Sequence, residues 1–253
     1  MNLGLFNIFF NRKKFKKFSV AVNDFRTNYD IYDKSEYLKT IELTDIIKPN
    51  LEGNVLISDY SYRQGNVTLY ELYCICAIAK SFRASSIFEI GTYDGETTLH
   101  LALNSPENAK IYTLDLPTEN TKNIKFSVDS GDPQLINKKG FRTGEKFLDR
   151  KESQKITQLF ADSALFDYSE FKEKVDIFFI DGAHSYDYVK TDTENAFYTL
   201  NENGIIIWHD YGNIIDVIKY LNELSSVKPL YRINRTTLAI FSNSLFVKNI
   251  TDK

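Results

Sequence analysis

The chain has 253 residues, 43% hydrophobic and 26% charged, with 34 acidic against 31 basic side chains. That is apolar material enough for one large buried core, and a net charge of -3 lacks the basic surface that non-specific nucleic-acid binding needs. Cys74 and Cys76 lie two apart in an apolar helical run and so face different ways, which reads as reduced core thiols in a cytoplasmic protein. No stretch reaches the roughly 20 apolar residues of a membrane span.

Residues 3–10, LGLFNIFF, precede a basic NRKKFKKF. A secretory signal carries its charge before the apolar stretch, so this order argues against one. Residues 1–18 suit a peripheral contact with an anionic inner membrane face, or packing against the chain's own domain or a second subunit of a homo-oligomer. Residues 1–65 read as an N-terminal extension. Its short amphipathic pieces, around 37–47, are separated by turn signals at Lys48-Pro49-Asn50 and Glu52-Gly53-Asn54. Thr68 with Glu71 three residues on forms a capping-box signal ahead of a buried helix.

A strand follows at Ser85–Ile90, then a glycine turn that opens into a helix carrying His100, which reads as structural. Ile111–Leu114 is a strand ending on Asp115. Residues 120–155 are polar, contain Gly131, Gly140 and Gly144, and show no sustained period; a segment of that length reads as a lid or insertion. Its lysines and arginines, Lys138 and Lys139 among them, read as a solvated lid face, or as a funnel for an anionic substrate that Asp132, Glu145 and Asp149 dilute. Thr157–Ala161 is a strand ending at Asp162.

Val175–Ile180 is apolar nearly throughout, as expected of a strand buried on both faces, and stops at Asp181-Gly182. A helix over Tyr188–Leu200 is predicted to stop at Asn203-Gly204. The strand Ile205–Trp208, with Trp208 in the core, then ends on His209-Asp210. Strand, helix and strand in this order make a right-handed unit with parallel strands, so Asp181 and the His209-Asp210 pair fall on one sheet edge, about 5 Å apart in backbone if the strands are neighbours. Ile214–Leu224 is an amphipathic helix. Pro229–Ile233 and Thr236–Phe241 form a hairpin across Asn234-Arg235. The expected fold is a doubly wound, Rossmann-like α/β domain over residues 66–245, its mostly parallel seven-stranded sheet closed by a C-terminal antiparallel hairpin, with a tail at 246–253.

The turn after the first strand reads Glu89-Ile-Gly91-Thr92-Tyr-Asp94-Gly95. Its glycines let backbone approach a ligand, yet the third glycine of a dinucleotide fingerprint is missing and Asp94 puts negative charge where a pyrophosphate would sit. A ligand with a cationic centre fits better. Asp115 can accept both hydroxyls of a ribose, which suits an adenosine-type cofactor or NAD alike.

With EIGTYDG, TLD115, FAD162S, FID181GAHSY and WHD210Y, the sequence resembles the class I S-adenosylmethionine-dependent methyltransferases over roughly residues 68–242. The resemblance implies Glu89, Gly91 and Asp94 near the methionine end of the cofactor, Asp115 on its ribose, and Asp162 with Ser163 near its adenine. Thr92, Gly95 and Asp181 join the same cofactor-binding set. The DGAH and HD ends are most similar to metal-assisted O-methyltransferases of the macrolide-sugar and cephalosporin type. Carried over by position, Asp181 and Asp210 are metal ligands and His184 is the general base, acting on a hydroxyl of a small molecule or saccharide. His209 stands where that pattern has a carboxylate. Mg²⁺ prefers oxygen, so His209 either shifts preference toward a transition ion such as Mn²⁺ or is a substrate contact or packing partner. Two other readings stay open: an NAD-dependent oxidoreductase or epimerase, against which the incomplete glycine pattern speaks, and a catalytically silent binding protein, against which the intact Asp115, Asp181, His184 and Asp210 speak.

Overall fold

A computed structural model describes residues 37–47, 53–117, 124–128 and 141–242. The chain divides into two compact units, Met1–Tyr37 and Leu38–Lys253, and only the second is described below. The apolar-basic stretch 1–18, the tail 246–253, and Lys138 and Lys139 lie outside the described residues.

The strands are β1 (Thr40–Ile41), β2 (Ser86–Ile90), β3 (Lys110–Asp115), β4 (Ile156–Phe160), β5 (Val175–Ile180), β6 (Leu200–Trp208), β7 (Tyr231–Ile233) and β8 (Ala239–Ser242). They form one sheet in the order β1-β7-β8-β6-β5-β2-β3-β4. β4-β3-β2-β5-β6 is parallel throughout, while β8 runs antiparallel to both β6 and β7. The Rossmann-like sheet and the closing hairpin are as the sequence implies, but the described residues hold eight strands rather than seven. The eighth is β1, parallel to β7, from the segment read as irregular extension. Two residues carry no period, so β1 has no sequence signal of its own. Its Ile41, with Leu43 and Ile46 of the short helix α1 (Leu43–Ile46), joins the main core.

Helix α2 (Leu69–Ser81) starts with the anticipated capping box: Glu71 N–H donates to Thr68 Oγ1 at 3.3 Å, and Thr68 N–H donates to Glu71 Oε2 at 2.9 Å. Cys74 and Cys76 are free and buried in it, and burial pushes the Cys74 thiol up to about 11. α3 (Glu96–Leu103) follows the glycine turn. Its His100 is fully buried with Nδ1 2.7 Å from Glu96 O, the structural role expected.

Within residues 120–155, helix α4 (Glu145–Leu148) and a 3-10 turn (Lys151–Lys155) form despite the absence of a sequence period. They are too short to show one. Phe147 anchors them, 2% exposed, and a Cβ on Gly95 would come within 2.6 Å of its ring. α5 (Tyr186–Thr199) and α6 (Ile215–Ser225) flank β6 in sequence. α5 ends four residues before the predicted stop, and Asn203-Gly204 lies inside β6. Gly204 serves packing there: a Cβ would meet the Leu200 side chain at 2.4 Å and Val175 O at 3.0 Å. Trp208 is buried, its indole N–H donating to Thr193 Oγ1 at 2.8 Å. Among the described residues, no helix is long and apolar enough to cross a membrane.

The chain runs from β2 outward through β3 to β4, then crosses back to place β5 on the other side of β2. The strand order therefore reverses between β2 and β5. A crevice opens at that point beyond the carboxyl ends of the strands, which is where open α/β sheets bind ligands.

Candidate active site

A cavity of about 370 Å³ fills this crevice, within the size range of small-molecule sites. Backbone approach at the switch point forms its floor. Gly91 takes φ +99°, and a Cβ there would stand 1.9 Å from Asp181 O, so no other residue lets the ends of β2 and β5 come this close. The two strand ends are tied by Asp181 N–H donating to Ile90 O at 2.9 Å, and β6 joins by His209 N–H donating to Ile180 O at 3.0 Å.

One end of the cavity is built from β2, β3 and β4. Gly91, Thr92, Asp115, Asp162 and Ser163 all line it. Asp115 accepts from the backbone N–H of Tyr93 at 2.8 Å and of Leu116 at 2.7 Å, which aims its carboxylate across the glycine turn. Asp162 accepts from Lys125 N–H at 2.7 Å, Ala164 N–H at 2.9 Å and Tyr188 Oη at 3.0 Å.

Glu89, Asp94 and Gly95, placed in the same set by sequence, do not line the cavity. Glu89 is fully buried beneath the turn, accepting from Thr113 Oγ1 at 2.6 Å and from Thr98 Oγ1, and burial pushes its carboxyl up to about 8. Thr113 Oγ1 in turn lies 2.7 Å from Thr92 Oγ1. Asp94 is also buried. It accepts from Glu96 N–H at 3.1 Å and Asn66 Nδ2 at 3.2 Å, and Arg63 Nη1 lies 3.3 Å away. Gly95 takes φ +87° to start α3. These three shape the turn from behind.

The other end comes from the tips of β5 and β6 and brings Asp181, His184, His209 and Asp210 together on one wall. His184 Nε2 lies 3.1 Å from Asp210 Oδ2 and 3.9 Å from Asp181 Oδ1. His209 Nδ1 lies 3.1 Å from each of those same two oxygens. Asp210 holds φ +60°, a left-handed conformation rare for a non-glycine residue, and Asn213 Nδ2 donates to its Oδ1 at 3.2 Å. Burial alone would push both aspartates up, but the facing imidazoles outweigh it and hold them below the ordinary carboxylate range. Burial would also lower His209, yet Asp181, Asp210 and Glu71 hold its ring well above the usual histidine range.

Among the described residues, Asp181, His184 and Asp210 form a group whose possible metal-ligand atoms lie within 4.8 Å of one another. Two carboxylate oxygens and an imidazole nitrogen suit a divalent ion such as Mn²⁺. His209 is not in that group. Its Nδ1 faces both carboxylates, and its Nε2 lies 3.5 Å from Glu71 Oε2. Glu71 is the site residue that sequence reading treats only as a helix cap. Its reach into the cavity depends on where α2 lies against β6, which no local pattern encodes. Arg63, over the Phe141 ring at 4.0 Å, and Tyr62, Asn66 and Phe141 on the cavity wall have no motif at all.

Residues 88–211 match a family model described as a methyltransferase domain. No curated protein matches the chain in sequence. Among solved structures, a Staphylococcus aureus protein provisionally named a caffeoyl-CoA O-methyltransferase is similar at 16% identity, with a TM-score of 0.53 over 70% of this chain and 84% of that one. The Podospora anserina methyltransferase PaMTH1, in its SAH-bound form, is similar at 13% identity, with a TM-score of 0.51 over 71% of this chain and 80% of that one. At those identities the structural likenesses show the fold.

Proposed function

We propose that this S-adenosylmethionine-dependent methyltransferase, whose class I methyltransferase domain includes residues 88–211, methylates a hydroxyl group of a small molecule or saccharide. The methyltransferase match takes the place of the nicotinamide-oxidoreductase reading. The observation that carries the choice of acceptor is the convergence of Asp181, His184, His209 and Asp210 from two adjacent strand tips on one wall of the cavity. A hydroxyl is a poor nucleophile until its proton leaves, and this wall holds the groups that can take a proton and stabilise the charge left behind.

Bound S-adenosylmethionine supplies an electrophilic methyl group on a sulfonium sulfur. Asp115 is suited to accept hydrogen bonds from the ribose hydroxyls, with Asp162 and Ser163 at the adenine side and Gly91 and Thr92 along the turn. Glu89, Asp94 and Gly95 support the donor from behind the turn rather than by touching it. His184, whose Nε2 lies 3.1 Å from Asp210 Oδ2, is the general base for the acceptor hydroxyl. A divalent ion, when bound, would be held by Asp181 and Asp210 with His184 Nε2 completing the set, and would lower the pKa of a hydroxyl beside it. His184 cannot be ligand and base through the same nitrogen, so the two versions of the site are experimentally separable.

The part of residues 120–155 that reaches the cavity through Ile124, Val128, Phe141 and Thr143 supports a lid that selects the acceptor. Residues 1–18 would carry any peripheral membrane contact or subunit contact, and co-sedimentation with anionic vesicles tests the former. The central test is methyl transfer from labelled donor to a panel of hydroxylated acceptors, with and without chelator. Turnover that survives both chelation and His184→Ala on the best acceptor eliminates metal and base together and leaves proximity alone.

A further inference from the structure

We propose that Glu71 is a positioning residue of the reaction centre, fixing the His209 ring so that Nδ1 faces Asp181 and Asp210. The inference rests on the methyltransferase reading of that wall, but Glu71 lies on α2, ahead of the residues that match the family model.

Glu71 is 3% exposed and its carboxylate is gripped from three directions. Oε2 accepts from the backbone N–H of Thr68 at 2.9 Å and from Thr68 Oγ1 at 2.8 Å. Oε1 accepts from the backbone N–H of Thr237 at 2.8 Å and from Thr237 Oγ1 at 2.8 Å, in the turn between β7 and β8. The third direction is His209, whose Nε2 lies 3.5 Å from Oε2. One buried side chain thus joins the start of α2, the closing hairpin and the tip of β6, and it lines the cavity beside His209.

The cap by itself does not call for a charge. A glutamine three residues after a threonine completes the same box as a glutamate. A carboxylate taken out of water is costly unless a cationic or strongly donating group faces it. At Glu71 the groups that face the carboxylate are the donors of Thr68 and Thr237 and, at 3.5 Å, His209 Nε2. An imidazole also has two nearly equivalent ring orientations about its χ2 torsion, and acceptors at both nitrogens satisfy only one of them. With Glu71 at Nε2, Nδ1 is committed to the two aspartate oxygens that His184 also faces. The position of those oxygens relative to His184 then depends on Glu71, through the His209 ring.

The test compares Glu71→Gln with Leu72→Val, the latter on the same helix but fully buried in the core and away from the cavity. Three quantities are measured well below each variant's melting temperature: turnover with labelled donor on the best acceptor, affinity for S-adenosylhomocysteine, and the ¹⁵N resonances of the His209 ring in the metal-free protein. Glu71→Gln is expected to lower turnover about tenfold or more, to leave cofactor affinity within about twofold, and to shift or broaden the His209 signals. Leu72→Val is expected to lower the melting temperature and to leave turnover and the His209 signals as in wild type. The inference is overturned if the His209 ring signals are unchanged in Glu71→Gln, if its turnover stays within about twofold of an active wild type, or if Leu72→Val reproduces both effects. A wild-type protein that transfers no methyl to any acceptor sinks the functional reading instead, and the ring signals alone then decide for or against Glu71.

Discussion

Buried carboxyl groups lie at both ends of the cavity, and they meet opposite fates. Glu89, under the glycine turn, is surrounded by neutral partners, the hydroxyls of Thr98 and Thr113, and is held protonated up to about 8. Asp181, Asp210 and Glu71, at the tips of β5 and β6 and on α2, are also withdrawn from water but face imidazole rings. Despite burial they sit below the ordinary range, Glu71 at about 2 with backbone N–H donors of Thr237 and Thr68 helping. Burial sets the cost and the partners decide the charge state. The end under the glycine turn therefore rests on a neutral, packed support, while the end at the tips of β5 and β6 keeps an ionised set.

The comparison breaks most severely if the ionised set proves idle. His184→Ala is expected to slow methyl transfer by about 10²–10⁴-fold while cofactor affinity changes little, the usual worth of a positioned base, as single-turnover kinetics can show. Asp181→Ala should match that loss if a metal is required, and calorimetric titration with Mn²⁺ should then show the binding gone.

Next in size is Asp115→Ala at the donor end. Losing charge-assisted hydrogen bonds to ribose hydroxyls costs about 1.5–3 kcal/mol, about 10- to 150-fold in S-adenosylhomocysteine affinity by calorimetry. Unchanged affinity in a folded variant removes Asp115 from the cofactor site.

Glu89→Gln sharpens the contrast through pH. An unfolded glutamate gives up its proton near 4.5, whereas Glu89 in the folded protein keeps it to about 8. Its contribution to stability is therefore complete below about pH 4.5 and is lost progressively as pH rises to 8, a change on the order of 5 kcal/mol. Asp192, raised by burial to about 7, adds a decline of the same sign. Denaturation midpoints between pH 5.5 and 8.5 should fall less steeply in Glu89→Gln than in wild type. Equal slopes mean that Glu89 is ionised in the folded state.

The smallest effect concerns the ion pairs beside the cavity, where Arg63, over the lining Phe141 ring, meets Glu145 at 2.9 Å and Lys146 meets Glu96 at 3.3 Å. Arg63, Glu145 and Lys146 are partly exposed while Glu96 is buried, so Arg63→Ala should raise the cofactor dissociation rate only a few-fold, with a salt dependence weaker than wild type. Stopped-flow displacement measures both.

Much of this was legible locally. The five parallel strands announce themselves as short apolar runs, and each ends on the residue that reaches the crevice because a strand's carboxyl end is where its buried pattern stops. Asp115, Asp162, Asp181, His184 and Asp210 follow from that rule, and all line the cavity. Glu89, Asp94 and Gly95 show its limit, since a residue in the right turn can still point behind it.

What the linear sequence determined was the order of elements, the parallel core and the acidic and histidine-bearing strand tips, because periodicity and strand ends are properties of neighbours in the chain. Only the tertiary structure decided that β1 joins the sheet, that Gly91 must lack a Cβ because the Asp181 carbonyl occupies its place, and that His209 Nε2 faces Glu71 while its Nδ1 faces Asp181 and Asp210. Each of these depends on a contact between residues tens to nearly two hundred positions apart. Such contacts are set by packing one element against another, and leave no pattern in either segment alone.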